Sequence, residues 1–404
     1  VSAFAPWALV PQWFGSLLFE RATARYLPFD HEITAVLRAA KRSPLQLDGA
    51  PEHRRDALDA FVSEFYARGL FTLDMLLDAD VLELDPPHGY LAGPLVTHLE
   101  VNAVCNLTCV HCFAGELPRK ERALDLDELS VLFADLARIG ALRLALSGGE
   151  PLMRRDLYEL VDLAIAQGIR TSITTNGLLI DEHHVRELAR RDVLWLSVSL
   201  DGATRETNDA IRGAGVFDGV LNRVALLRGR VPFSLAMTVT STNAHEARAF
   251  GALARSVGAS GAVLRPLYPT GLAATRLDLV PSFAQYRAAV AALNDGAELD
   301  GCGFASAEPY GPEERDRSSA NVVTNLGCGA GTTLAAISSS GVVSPCSFLG
   351  SAFDGPSVRA TPFAKIWADA HPFARFRSQD TLDRFDGGCR ARALAHSGDA
   401  FARD

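Results

Sequence analysis

Six apolar runs, each closed by small or polar residues, occupy the middle of this 404-residue chain and leave it few folds to adopt. The runs are LVTHLEVNAV, LRLALSG, RTSITTNG, VLWLSVSLDG, SLAMTVTST and AVLRPLYPTG. Between them stand segments such as LDELSVLFADLARIG, RRDLYELVDLAIAQG and AHEARAFGALARSVG, whose apolar residues recur at three and four positions, as on one face of a helix. Strand and helix in alternation predict an α/β fold with a parallel sheet and helices outside it. In such folds ligands gather at the carboxyl ends of the strands. Clusters of Cys, Gly, Asn and Asp follow the apolar runs, so these residues should share one rim.

The flanks read differently. Over residues 1–93, short apolar or aromatic stretches (ALVP, SLLFE, RYLPF) precede two helical patterns, HEITAVLRAAKR and HRRDALDAFVSEFYARGL. They predict a small domain of strands followed by helices. DPPHGYLAGP, with its Pro and Gly, is the linker. The alternating region runs over 94–275, and from 276 to 404 the pattern loosens into segments rich in Gly, Ser and charge. No repeat period and no low-complexity tract interrupts these three regions.

Composition removes several classes of function. With 48% hydrophobic and 22% charged residues the chain is an ordinary folded protein. A net charge of −9 argues against a nucleic-acid partner held by phosphate neutralisation. VSAFAPWALVPQWFGSLLFERATARY has no long apolar run and no charged n-region, so neither a signal peptide nor a membrane span is expected, and the expected place is the cytoplasm. Seven cysteines, an odd number, are not a disulfide framework in a reducing compartment.

Three of them, Cys105, Cys109 and Cys112, fall within eight residues, CNLTCVHC. Thiolates this close suit an iron–sulfur cluster or a soft metal. Zinc would need a fourth ligand, and His111 is awkward for that role beside Cys112, in a spacing unusual for zinc sites.

At these residues the sequence resembles the radical S-adenosylmethionine superfamily, in which C-x3-C-x2-C holds a 4Fe-4S cluster with one iron free of cysteine. That iron chelates S-adenosylmethionine, and reductive cleavage yields a 5′-deoxyadenosyl radical that abstracts hydrogen from a substrate. The resemblance extends in order through successive strands. SGGEP resembles the family's GGE motif, implying that Gly148, Gly149 and Glu150 receive the methionine ammonium. TTNG brings Thr175 and Asn176. SVSLDG and AIRG imply that Ser199, Asp201 and Arg212 reach the ribose hydroxyls or the carboxylate, and His111 would lie near the adenine. The match covers about residues 94–275 and implies a partial (β/α)6 TIM-like barrel. Taken singly, each short motif also reads as a turn or a solvated charge.

Beyond the barrel, CGAGTTLAAISSSGVVSPC and GGCRARALAHSGDAFARD resemble SPASM and twitch domains, which carry auxiliary iron–sulfur clusters. The full pattern has more cysteines than this chain offers. The resemblance therefore implies one auxiliary cluster, on Cys328, Cys346 and Cys389, with Cys302, Asp386 or the substrate as fourth ligand. The alternative is a domain of free thiols that has lost its cluster. The N-terminal region resembles the winged-helix-like domain that binds leader peptides, or it is a cap that binds nothing.

The function these resemblances imply is a radical enzyme acting on a ribosomally made precursor peptide, forming a side-chain cross-link. Its electron donor would be a flavodoxin or ferredoxin. Two other readings compete: action on a small molecule or tetrapyrrole, and a non-catalytic peptide-binding scaffold. Tyr268, Tyr310, His245 and Asp278 are candidates for hydrogen transfer by residue type alone. No spacing ties them to the site, and each reads as core or surface.

Overall fold

The computed structural model describes residues 3–45, 52–115, 117, 119–191, 193–297, 303–306, 328–378, 381 and 388–402. Its small N-terminal sheet is made of β1 (Trp7–Gln12), β2 (Gly15–Glu20), β3 (Arg25–Asp30) and β4 (Ala79–Val81), in the order β3-β2-β1-β4. The first three are antiparallel, and β4 returns parallel to β1. Helices α1 (His31–Ala40) and α2 (Glu52–Ala67) follow β3.

Alternation of side chains along β1 and β2 gives this sheet two buried faces. Trp7, Leu9 and Leu18 pack with Leu37, Phe65 and Leu70 in the small domain's own core. Ala8, Val10, Leu17 and Phe19 belong to the core of the barrel.

The six expected strands form in place: β5 (Val96–Glu100), β6 (Arg143–Ser147), β7 (Arg170–Thr175), β8 (Trp195–Ser199), β9 (Phe233–Val239) and β10 (Gly261–Pro266). All pair in parallel and in chain order. Helices α3 (Leu126–Arg138), α4 (Leu157–Ala166), α5 (Glu182–Arg190), α6 (Arg205–Arg212), α7 (Val216–Val224) and α8 (Ala247–Ser256) connect them. In α3, Leu129, Leu132, Phe133 and Leu136 form the buried stripe, and Asp125 and Glu128 close a capping box at its start. This is the partial (β/α)6 barrel.

The sheet does not stop at residue 275. After α9 (Phe283–Ala297), strand β11 (Gly303–Ser306) pairs parallel to β10. At the other edge β12 (Leu334–Ile337) pairs parallel to β5 and turns back into β13 (Val343–Ser344). Among the described residues the sheet thus has nine strands, ordered β11-β10-β9-β8-β7-β6-β5-β12-β13. Long-range pairing of this kind leaves no local periodicity to read, because each added strand is only two to four residues long.

The small domain sits at the amino ends of the barrel strands. The Tyr26 hydroxyl donates to the Gly140 carbonyl (2.9 Å) and accepts from the Leu142 amide (2.7 Å), just before β6. Arg21 reaches the Gly168 carbonyl before β7. Trp367, on α10 (Phe363–Asp369), donates to the Leu91 carbonyl (2.8 Å). The carboxyl ends are left for the site.

Candidate active site

A cavity opens at the carboxyl ends of β5 to β10. Its wall includes Cys105, Cys109, His111, Cys112, Ser147, Gly148, Gly149, Glu150, Thr175, Asn176, Ser199 and Arg212. Eleven of the twelve barrel positions named from sequence motifs, all but Asp201, line this cavity, because the parallel topology brings distant loops to one mouth.

The cysteine loop after β5 is fixed by its neighbours' backbones. Gly149 donates to the Asn102 carbonyl (3.1 Å), Glu150 to that of Val104 (2.8 Å), Val110 to that of Ile211 (3.0 Å) and Leu272 to that of Cys112 (2.8 Å). The approach of SGGEP to this loop needs glycine. A Cβ on Gly149 would stand 1.9 Å from the Val104 oxygen, and Gly148 combines φ +130° with a Cβ position 2.5 Å from the Asn102 oxygen.

Glu150 is 1% exposed and accepts from the Thr175 hydroxyl (2.6 Å) and the amides of Asn176 (2.7 Å) and Leu152 (3.0 Å). Burial raises its pKa, against the lowering effect of those three donors. A carboxylate offers about four acceptor positions, so one is left for a cationic group in the cavity. Asn176 donates to Asn106 Oδ1 (2.7 Å) and lies 3.9 Å from Cys105 Sγ, which couples the third strand's loop to the first.

Asp201 departs from the expectation that it reaches a ribose. It is 0% exposed and turned into the protein, away from the cavity wall. One oxygen accepts from the Thr238 amide (2.7 Å). The other lies 2.7 Å from Arg212 Nε and 2.8 Å from His111 Nε2. Burial alone would raise its pKa, but the Arg212 guanidinium and the contact with His111 hold it well below the usual carboxylate range. Asp201 therefore orients the two side chains that do line the cavity.

The three thiols are half-buried and free. Burial pushes all three up, Cys109 to about 11 against the opposing effect of Arg212. Among the described residues no three His, Cys, Asp or Glu side chains form a group that could hold a single metal ion. The donor chemistry of three thiols around one cavity is that of an iron–sulfur cluster, which takes its thiolates on separate irons.

Cys328, Cys346 and Cys389 lie together in a different setting. They border an apolar cluster of Ala330, Leu349, Phe376, Ala391 and Ala400. Burial, then the proximity of Cys328 and Cys389, raises the Cys346 pKa. Cys302, Asp386 and Tyr310 lie outside the described residues.

Tyr268, read from the sequence as core or surface, belongs to the cavity wall. Its ring stacks on Phe348 at 4.3 Å between centroids, and Phe348 meets Phe113 edge to face at 5.2 Å. Burial and the three C-terminal cysteines raise its pKa. Arg265, Thr238 and Phe348 also line the cavity and were not singled out from the sequence. Val263 and Arg265 alternate with Leu264 on β10, the one signal that could have found the arginine. Asp278 pairs with Arg276 at the surface (2.8 Å), and His245 is exposed.

A parallel half-barrel carrying three cysteines on the loop after its first strand, with GGE and asparagine loops beside them, defines an enzyme that uses an iron–sulfur cluster and S-adenosylmethionine. Residues 99–251 match the Radical SAM superfamily. The AdoMet-dependent heme synthase of Nitratidesulfovibrio vulgaris is 31% identical over 330 residues, 76% of this chain and 89% of the relative. The mycofactocin maturase MftC of Mycobacterium ulcerans is 32% identical over 320 residues, 75% and 85% of the two chains. Streptococcus suis SuiB, solved bound to precursor peptide SuiA, superposes with a TM-score of 0.73 over 99% of this chain and 98% of its own, at 17% identity. The chain belongs to the radical SAM superfamily.

Proposed function

We propose that this enzyme modifies a ribosomally made precursor peptide, abstracting a hydrogen from it and forming a side-chain cross-link. The observation that carries this reading is the N-terminal sheet built onto the barrel, since the chain matches SuiB through that domain as well as through the barrel. The free edge of β3 offers an extended leader a strand to pair with. Cytoplasmic placement and a flavodoxin or ferredoxin as electron donor belong to the same reading. Among the described residues, no helix is long and apolar enough to cross a membrane.

When bound, the cluster on Cys105, Cys109 and Cys112 supplies the electron that cleaves S-adenosylmethionine. The chain's own residues position the reactants. Glu150 presents its remaining acceptor site to the methionine ammonium. Asp201 holds Arg212 and His111 against the cavity, where Ser199 and Arg212 would meet the ribose hydroxyls or the carboxylate. Cys328, Cys346 and Cys389 would hold an auxiliary cluster behind Tyr268 and Phe348.

A second reading, action on a tetrapyrrole, is favoured by a specific match: the Fe-coproporphyrin III synthase of Methanosarcina barkeri is 45% identical over 119 residues. The deciding experiment incubates the reconstituted enzyme with S-adenosylmethionine and either the precursor peptide encoded beside its gene or iron coproporphyrin III. Loss of a pair of hydrogen atoms from the peptide, by mass spectrometry, supports the first reading. Conversion of the porphyrin with the peptide untouched sinks it.

A further inference from the structure

Two arginines are on the cavity wall among the described residues, Arg212 and Arg265, and the first is neutralised within the protein. Arg212 lies 2.7 Å from Asp201. Arg265 lines the same cavity and has no ion-pair partner among the described residues. It stands on β10 opposite Thr238 of β9, which is itself on the cavity wall.

Arg265 is exposed, its guanidinium open to the cavity rather than sealed in the wall, so an anion entering the cavity can meet it. The cavity walls crowded around it lower the Arg265 pKa although the side chain is open to the cavity, and Tyr268 is the neighbour that opposes the shift. The phenol of Tyr268, three residues on, lines the same wall with no side-chain hydrogen bond among the described residues. Together the two side chains offer a planar pair of N–H donors and one O–H donor beside an aromatic wall of Phe113 and Phe348.

We propose that Arg265 and Tyr268 form a carboxylate-binding subsite of the cavity. A carboxylate fits better than a phosphate. Arg212 is already committed to Asp201, so a single uncommitted guanidinium matches one negative charge rather than two. The carboxylate comes either from the substrate or from the methionine end of S-adenosylmethionine. The inference rests on the cavity being the reaction chamber, but not on the substrate being a peptide.

The test measures equilibrium binding to the reconstituted enzyme, without turnover, for two matched pairs of probes. One pair is S-adenosylmethionine and its decarboxylated analogue. The other is N-acetylphenylalanine and its amide, chosen for the aromatic wall. Arg265→Gln should weaken the acid of one pair by about tenfold or more and leave its neutral twin within about twofold, as expected when a charge-assisted contact is lost. Arg265→Lys should recover part of that loss, and Tyr268→Phe should weaken the same acid by about threefold. An effect on the N-acetylphenylalanine pair identifies the substrate as the source, and one on the other pair identifies the cofactor. Equal losses for acid and neutral twin, or no loss for either acid, overturn the proposal. Should Arg265→Gln fail to fold, Arg265→Lys and Tyr268→Phe decide by the same comparison. Failure of the peptide reading would appear separately, as an unmodified precursor in the presence of intact probe binding.

Discussion

The two ends of the barrel use the same strands for opposite purposes. At the carboxyl ends, loops run so close that glycine is required, charges are buried in pairs, and thiols face a cavity. At the amino ends, Gly140, Leu142 and Gly168 offer only backbone groups, which Tyr26 and Arg21 use to seat the small domain. A parallel sheet has two inequivalent ends, so chemistry and anchoring can be altered separately. Changes at the rim should remove activity, and changes at the base should remove stability.

The largest effect belongs to the rim. Replacing Cys105, Cys109 and Cys112 together by Ala should lower 5′-deoxyadenosine release at least about 10³-fold and remove about four irons per chain. Retained cleavage would break the contrast at its strongest point. Asp201→Asn should blur it, because a rim residue then also costs stability: Arg212 would keep a buried charge without its counter-ion, a loss of about 3–5 kcal/mol in chemical denaturation.

His98 lies between the two ends. Burial, followed by the charges of Arg265 and Arg143, lowers its pKa to about 4. The unfolded chain therefore binds the proton first, and stability is full above about pH 6.5 and falls as the pH drops toward 4, by at most about 3 kcal/mol. His98→Gln should flatten this part of the stability–pH curve, and an unchanged slope would assign it elsewhere. The smallest effect is at the base. Tyr26→Phe removes both hydrogen bonds to the barrel and should cost about 2 kcal/mol, with S-adenosylmethionine cleavage kept within about twofold.

Much of the barrel was legible because each βα unit writes its own period into the chain. LVTHLE, LRLALS and RTSITT carry an alternation that survives in the structure as buried Leu99, Leu144 and Ile173. Strands β4 and β11 were not legible, since only a distant partner makes them strands. At the site the cysteine and SGGEP motifs could be read because their spacing is local. Asp201, expected at the ribose or the carboxylate, instead pairs inside the protein with Arg212 and His111, side chains that arrive from other elements. Tyr268 was discounted for want of any spacing argument, and its role at the cavity depends on Phe348, brought from the far side of the sheet.

The seat of the small domain also sets a distance. Barrel strands of five or six residues, at about 3.3 Å each, separate base from rim by nearly 20 Å. On the proposed reading, a leader paired at the β3 edge would need about six or more extended residues for the segment beyond it to reach the cavity. On the proposed peptide reading, fixing that edge to the barrel through Tyr26 would make the molecule a ruler, selecting its target by position along the tether as well as by side chain.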